Sequence, residues 1–348
     1  MREEGEMWKE TTDKEENLII YNEEIRDFIP HRLLDFHVHV FHEETLKKDD
    51  PGFPLPGTRI RNYTIHELMD DMEKIYPGKH CSAVVFGFPD LKYDSDMNNR
   101  YVAEHSDHRS VFPFRLVKPD EDPLRVEEEL VGMRFLGVKP YLNYVQGKPL
   151  DEVEIHDMLP AGIMEVIDKL GLMVMLHIPR KGRLADPVNQ KQIIQLATSY
   201  PNARIILAHI GRAYYLNNIV GHLDSIGKFE NVYCDTAMVN HWEVLEYLFQ
   251  HFDRQRILYA TDLPIAVCGG KSIEINDQYT YVTSKPWFLS ISDDHGKLVF
   301  TSFIYEQIRA IRKAVERLGL HGAFVEDLFF KNGNALIQQV MKERGVQV

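Results

Sequence analysis

From residue 33 onward the chain alternates short apolar runs with polar, helix-compatible stretches. Eight apolar runs stand out: Leu33–Val40, Ser82–Phe88, Val111–Val117, Phe135–Tyr141, Leu172–Ile178, Arg204–Ile210, Asn231–Asp235 and Arg256–Asp262. Each has the length expected of a buried strand, although Pro113 interrupts the third. Helix signals fill the intervals. Thr64 followed three residues later by Glu67 is a capping-box pattern for a helix to about Tyr76, which Pro77-Gly78 stops. Asp122 before Pro123 starts a short acidic helix to Val131. Asp94–His105, Ala161–Leu170, Val188–Ser199, Tyr214–Ser225 and His241–Phe252 also read as helical.

Strict strand–helix alternation builds a parallel sheet with right-handed crossovers, and eight units is the number that closes a (β/α)8 TIM barrel. The alternative is an open doubly wound sheet. It is disfavoured because no GxGxxG or Walker-type glycine loop follows any strand. The pattern departs from bare alternation in two places. His42–Asn62, rich in Pro and Gly, reads as a long loop after the first strand. Leu263–Phe300, with Tyr279, Tyr281 and Trp287, reads as a long irregular insertion after the eighth, lying over the barrel mouth. Ser302–Leu318 is an amphipathic helix with Ile304, Ile308, Ile311 and Val315 on one stripe, and Asn334–Glu343 is a final helix. The reading is therefore an α/β TIM barrel: residues 1–30 as a loose N-terminal tail and residues 31–348 as one domain.

Apolar residues at 44% and charged residues at 27% exclude the disordered and membrane classes. The net charge of −13 argues against nucleic-acid and anionic-lipid partners, which require net basic surface. Three widely spaced cysteines with no CxxC pair suggest neither a disulfide framework nor a thiolate zinc site. With no apolar run of signal-peptide or bilayer length, the expectation is a cytoplasmic protein, and a homo-oligomer stays open.

The chemistry sits at strand ends. A strand's period of two sends Asp35, His37 and His39 to one face of the first run. Lys139 ends the fourth run, His177 the fifth, His209 the sixth and Asp262 the eighth, each embedded in otherwise apolar sequence. In a parallel barrel these ends converge on one face. A lone buried polar group there costs a few kcal/mol unless paired, and a metal can pair several at once. Any one of them alone could equally be a core histidine satisfied by a carbonyl, or a capping aspartate. Basic residues follow the same ends: Arg115 and Lys118, then Arg180, Lys181 and Arg183, then Arg212. An acidic protein that gathers cations at its barrel mouth is suited to an anion, with Arg180 and Arg212 the best placed, unless these are solvated loop charges.

Asp35-Phe36-His37-Val38-His39, Gly137-Val138-Lys139, Leu176-His177, Leu207-Ala208-His209-Ile210-Gly211, Thr261-Asp262-Leu263-Pro264 and Asn332-Gly333-Asn334-Ala335-Leu336 run in this order. Together they resemble the amidohydrolase superfamily, and within it the amidohydrolase-2 branch, with its aminocarboxymuconate-semialdehyde decarboxylase, resorcylate decarboxylases and pyrone-dicarboxylate lactonases. The resemblance implies His37, His39, His177 and Asp262 as ligands of one divalent metal, zinc before manganese. It implies His209 as base or water-orienting residue, aided by Asp262, and Asp35 as the support of a ligand histidine. A carboxylated Lys139 bridging a second metal is the less favoured variant, and Lys139 contacting substrate or a neighbouring carboxylate the favoured one. The expected function is a metal-dependent hydrolase acting on an ester, lactone or amide of a small carboxylated substrate, which Arg180, Arg212 and Lys139 bind. A non-oxidative decarboxylase and a non-catalytic metabolite-binding barrel are the alternatives.

Overall fold

A computed structural model describes residues 15–293 and 295–346. The described residues open with a helix at Glu15–Ile20 that continues as a π-helical turn over Tyr21–Ile25. Much of the segment read as a loose tail is therefore packed: Tyr21, Ile25 and Ile29 are buried, and the Tyr21 hydroxyl donates to the Pro77 carbonyl at 2.7 Å. The remainder of that tail, residues 1–14, lies outside the described residues.

The strands follow in chain order: β1 Arg32–His39, the hairpin β2 Phe53–Leu55 and β3 Thr58–Ile60, β4 His80–Phe86, β5 Val111–Val117, β6 Gly137–Pro140, β7 Met173–Leu176, β8 Arg204–Leu207, β9 Val232–Asp235 and β10 Ile257–Leu258. β1 and β4 to β10 form one parallel sheet in sequential order. Bonds from Phe36 N to Tyr259 O and from Asp262 N to His37 O, both 2.9 Å, close it into the expected (β/α)8 barrel. Helices at Ile65–Ile75, Ser95–His105, Pro123–Gly132, Ala161–Leu170, Pro187–Ser199, Trp242–His251 and Phe303–Arg317 pack around it. Thr64 and Glu67 form both halves of the capping box, and Asp122 caps the helix that Pro123 begins. The last helix, Asn332–Glu343, comes close to β1: a Cβ on Gly333 would stand 2.9 Å from the side chains of Leu34 and Phe36. Close approach, not turn geometry, requires glycine there.

Three local expectations are corrected. Tyr214–Ser225 is no helix; it holds only a 3-10 turn at Leu216–Asn218. Asn218, which could compete for the helical backbone, instead accepts from Arg183 at 3.3 Å. The insertion after β10 is not irregular: β11 Gly270–Ile275, β12 Gln278–Thr283 and β13 Ser290–Ser292 form a three-stranded sheet. The turn chemistry accounts for the first pair of strands. Asn276 and Asp277 both adopt positive φ (51° and 59°) in a two-residue hairpin turn, a conformation that asparagine and aspartate tolerate. The loop after β1 likewise contains the β2–β3 hairpin. Trp287 Nε1 donates to Pro54 O at 3.1 Å and Gly57 N to Pro286 O at 2.9 Å, so hairpin and insertion are joined.

Arg115 has a different place from the one its sequence position suggested. Its guanidinium is buried against Glu121 and Glu129 at 2.7 Å each, and this mutual pairing offsets the cost of burying charge. It serves the fold. Among the described residues, no helix is long and apolar enough to cross a membrane.

Candidate active site

Five of the eight barrel strands bring an ionisable side chain to one cavity of about 420 Å³, a volume suited to a small molecule. His37, His39, Lys139, His177, His209, Arg212 and Asp262 all line it. The tightest group is His37, His39 and Asp262, whose ligand atoms lie within 4.8 Å of one another. Asp262 Oδ1 stands 3.2 Å from His39 Nε2 and 3.6 Å from His37 Nε2.

Each imidazole in that group is aimed by its other nitrogen. His39 Nδ1 donates to the Gly87 carbonyl at 3.2 Å, and His37 Nδ1 donates to Asp235 Oδ2 at 2.8 Å. Nε2 is then the unprotonated, electron-pair-bearing nitrogen of both neutral rings, and it faces Asp262. Burial pushes the pKa of His37 well below the ordinary histidine value, with Lys139 and His209 adding to the effect, and burial lowers that of His39 as well. Two neutral imidazoles and a carboxylate are a donor set that fits a divalent ion. His177 is adjacent but outside the tight group. Its buried Nδ1 finds no hydrogen-bond partner among the described residues, and its ring centroid is 5.4 Å from that of His209 and 4.8 Å from that of Tyr141. Such an orphan is the second sign of a group that a cation would satisfy.

His209 is held by an unusual turn. His209, Ile210, Gly211 and Arg212 have φ of 56°, 55°, 63° and 60°, four successive left-handed residues of which three carry side chains. Left-handed backbone costs such residues roughly 1–2 kcal/mol each, so the surroundings must impose it. Asp235 supplies part of that: its Oδ1 accepts from His209 N at 2.7 Å and from Ala237 N at 3.1 Å, while its Oδ2 aims His37. His209 Nδ1 lies 2.9 Å from the Ala237 carbonyl, which can only accept, so Nδ1 carries the proton and Nε2 is the basic atom.

Asp235 therefore joins the residues that build the site, behind the rings of the lining, although it was not among those singled out from the sequence. The signal was available: it ends the seventh apolar run as His177 ends the fifth. Asp35 supports His37 through its backbone and not through its ring. Its carboxylate touches no histidine ring; it accepts from the backbone of His37 at 3.1 Å and of Thr261 at 3.0 Å and from the Thr261 hydroxyl. A register shift between Asp35 and Val38 breaks the simple alternation of β1 and leaves Asp35 as a clasp between β1 and the segment after β10. Burial raises its pKa to about 7.

The cations divide. Arg212 lines the cavity, steadied by bonds from Nη1 to the carbonyls of Ile178 and Arg180 at 3.2 Å. Arg180, expected beside it, turns away to Asp186 at 3.0 Å and is not among the cavity residues. Asp186 caps the helix Pro187–Ser199, so that ion pair serves a helix start. Lys181 pairs with Asp151 at 2.8 Å. Lys139 is fully buried with Nζ 3.2 Å from His37 Nε2 and 4.8 Å from the Phe86 ring centre, and burial lowers its pKa to about 8. A larger cavity of about 720 Å³ lies elsewhere, around Glu23, Asp27, His31 and Arg312, and contains none of this cluster.

Asn in place of Asp235 is expected to weaken metal retention by roughly 10–100-fold, the usual cost of losing the partner that orients a ligand. Competition against a chelator measures it.

The amidohydrolase family model matches residues 34–271. Several solved structures share the fold. A proposed 2-pyrone-4,6-dicarboxylic acid hydrolase from Pseudomonas putida is 15% identical, with 89% of this chain and 98% of that one covered and a TM-score of 0.54. The 2,6-dihydroxybenzoate decarboxylase from Rhizobium is 14% identical, with 89% and 99% covered and a TM-score of 0.51. The 4-oxalomesaconate hydratase from Rhodopseudomonas palustris is 15% identical, with 90% and 98% covered and a TM-score of 0.54. No curated protein sequence matches the chain.

Proposed function

The chain belongs to the amidohydrolase family, and from that premise we propose that it is a metal-dependent hydrolase cleaving an ester, lactone or amide bond in a small carboxylated substrate. The observation that carries this choice is how the His209 ring is held. Its ring lines the cavity with the proton held on Nδ1 by the Ala237 carbonyl, so Nε2 is ready to accept a proton from water. Hydrolysis needs a base at that point. A carboxy-lyase needs instead a proton delivered to carbon.

His37, His39 and Asp262, with His177 beside them, would hold one divalent ion, zinc before manganese by the nitrogen-rich donor set. Such an ion supplies Lewis-acid polarisation of the scissile carbonyl and a lowered pKa for water. The chain's own groups do the rest. Arg212 binds the substrate carboxylate and sets the distance of the scissile bond from His209. His209 takes the proton of the attacking water at Nε2 and returns it to the leaving oxygen or nitrogen. Lys139, cationic and buried, stabilises negative charge that develops on the carbonyl oxygen. Asp235 keeps His37 and His209 in fixed relation through one carboxylate.

The experiment that decides is product analysis on the purified full chain with carboxylated lactones, esters and amides and with aromatic acids. Formation of the opened or cleaved acid without bicarbonate supports the proposal. Stoichiometric bicarbonate release from an acid, with no cleavage of the other substrates, overturns it in favour of a lyase.

A further inference from the structure

The cavity is polar on one side only. Its charged and imidazole groups all come from the ends of barrel strands or the turns that follow them, and Arg212 is the single guanidinium among the lining residues. The facing wall is built by the insertion after β10 and by residues beside it: Tyr279, Tyr281, Trp287, Leu289, Ile265 and Phe88. No charged side chain from the insertion lines the cavity among the described residues.

The polar atoms of that wall are already engaged. The Trp287 indole donates to the Pro54 carbonyl, the Thr280 hydroxyl to the Tyr281 carbonyl at 3.5 Å, and the hydroxyls of Tyr279 and Tyr281 pair with each other. Tyr279 is held in place from the barrel side. Its ring stacks on Tyr214 at 4.5 Å with an interplanar angle of 21°, and the Arg183 guanidinium sits 4.3 Å from its centre. Arg183 therefore places its charge against tyrosine rings and is not a lining residue. At the outer edge the wall continues into exposed apolar surface at Leu289 and Phe288.

We infer that this wall selects a substrate with one carboxylate and an otherwise uncharged, apolar body. The inference rests on the proposed role of Arg212 as carboxylate anchor. With the anionic end on Arg212, the body lies against Tyr279, Tyr281 and Trp287, short of the exposed rim at Leu289. A second carboxylate on that body would be held against the buried Tyr281 and Trp287 rings with no cation from the insertion to pair with it, which disfavours it strongly.

The test compares 3-phenylpropanoate with its 4-carboxy derivative, which differ by one distal carboxylate, as ligands of the purified full chain by isothermal titration calorimetry. The expected result is binding of the monoacid at least about tenfold tighter than that of the diacid. Leu289→Arg, which adds a cation at the exposed rim, narrows or reverses that ratio. Arg212→Gln weakens the monoacid by about tenfold. Equal or tighter binding of the diacid to the unaltered protein, or no binding of the monoacid at millimolar concentration, overturns the inference. If the diacid binds equally while Arg212→Gln still costs affinity, only the selectivity fails and the anchor stands. If the monoacid binds and Arg212→Gln changes nothing, the anchor itself is wrong, and the inference falls with it.

Discussion

Alanine in place of Asp262 is expected to remove bound metal and turnover together. Asp262 is the one carboxylate in the tight group, and its Oδ1 stands within 3.6 Å of both imidazole Nε2 atoms. Without it the site keeps neutral donors only beside the Lys139 ammonium, with the Asp235 carboxylate one imidazole removed. Loss of a supporting partner costs roughly 10–100-fold in metal affinity, and loss of an anionic ligand should exceed that. Elemental analysis after gel filtration through chelator gives the metal content, and circular dichroism checks that the barrel has folded. A folded Asp262→Ala protein that retains metal at the original stoichiometry would show that Asp262 is not a ligand. His37→Ala should behave in the same way, because His37 is the ring that Asp235 aims at the same point.

His209 should separate from that behaviour. Its replacement by alanine, or by asparagine, which tolerates the φ of 56° better, is expected to leave metal content unchanged and lower kcat by about 100–10,000-fold, the range of a general base. KM should move little, because the proposed carboxylate anchor is Arg212 and not His209. The reason to expect retained metal is geometric: His209 is not in the group whose ligand atoms approach one another, and its Nδ1 is engaged by the Ala237 carbonyl. Full loss of metal in a folded His209 variant would make His209 a ligand instead of a base. Normal turnover with normal metal would remove it from the mechanism.

The contrast between Arg180 and Arg212 shows where reading the chain stops. Both follow a histidine-bearing strand end by three residues, and both adopt left-handed backbone (φ 64° and 60°). One lines the cavity and the other does not, because Asp186 stands ready as a helix cap to take Arg180. That competition involves a partner on another element, and spacing does not reveal it. Asp35 teaches the same point. A perfect alternation places it with His37 and His39, but with the register shift in β1 its carboxylate takes the backbone of His37 and of Thr261 after β10, and Asp235 at the end of β9, two strands from β1, takes the ring. The β-sheet in the insertion was legible in principle, since Ile273 and Ile275 before Asn276-Asp277, and Tyr279 and Tyr281 after it, alternate with polar residues.

What the sequence by itself determined is the barrel and the polar residues at its mouth. Both depend on local periodicity: apolar runs of strand length, helix caps such as Thr64 and Asp122, and imidazoles set where a stave ends. What only the tertiary structure decided is which of those residues meet, the tautomers that Gly87, Asp235 and Ala237 impose on three histidines, and the uncharged wall that faces them. These depend on contacts across the barrel between residues as far apart as His37 and Asp235, and a one-residue shift in register is enough to exchange one partner for another.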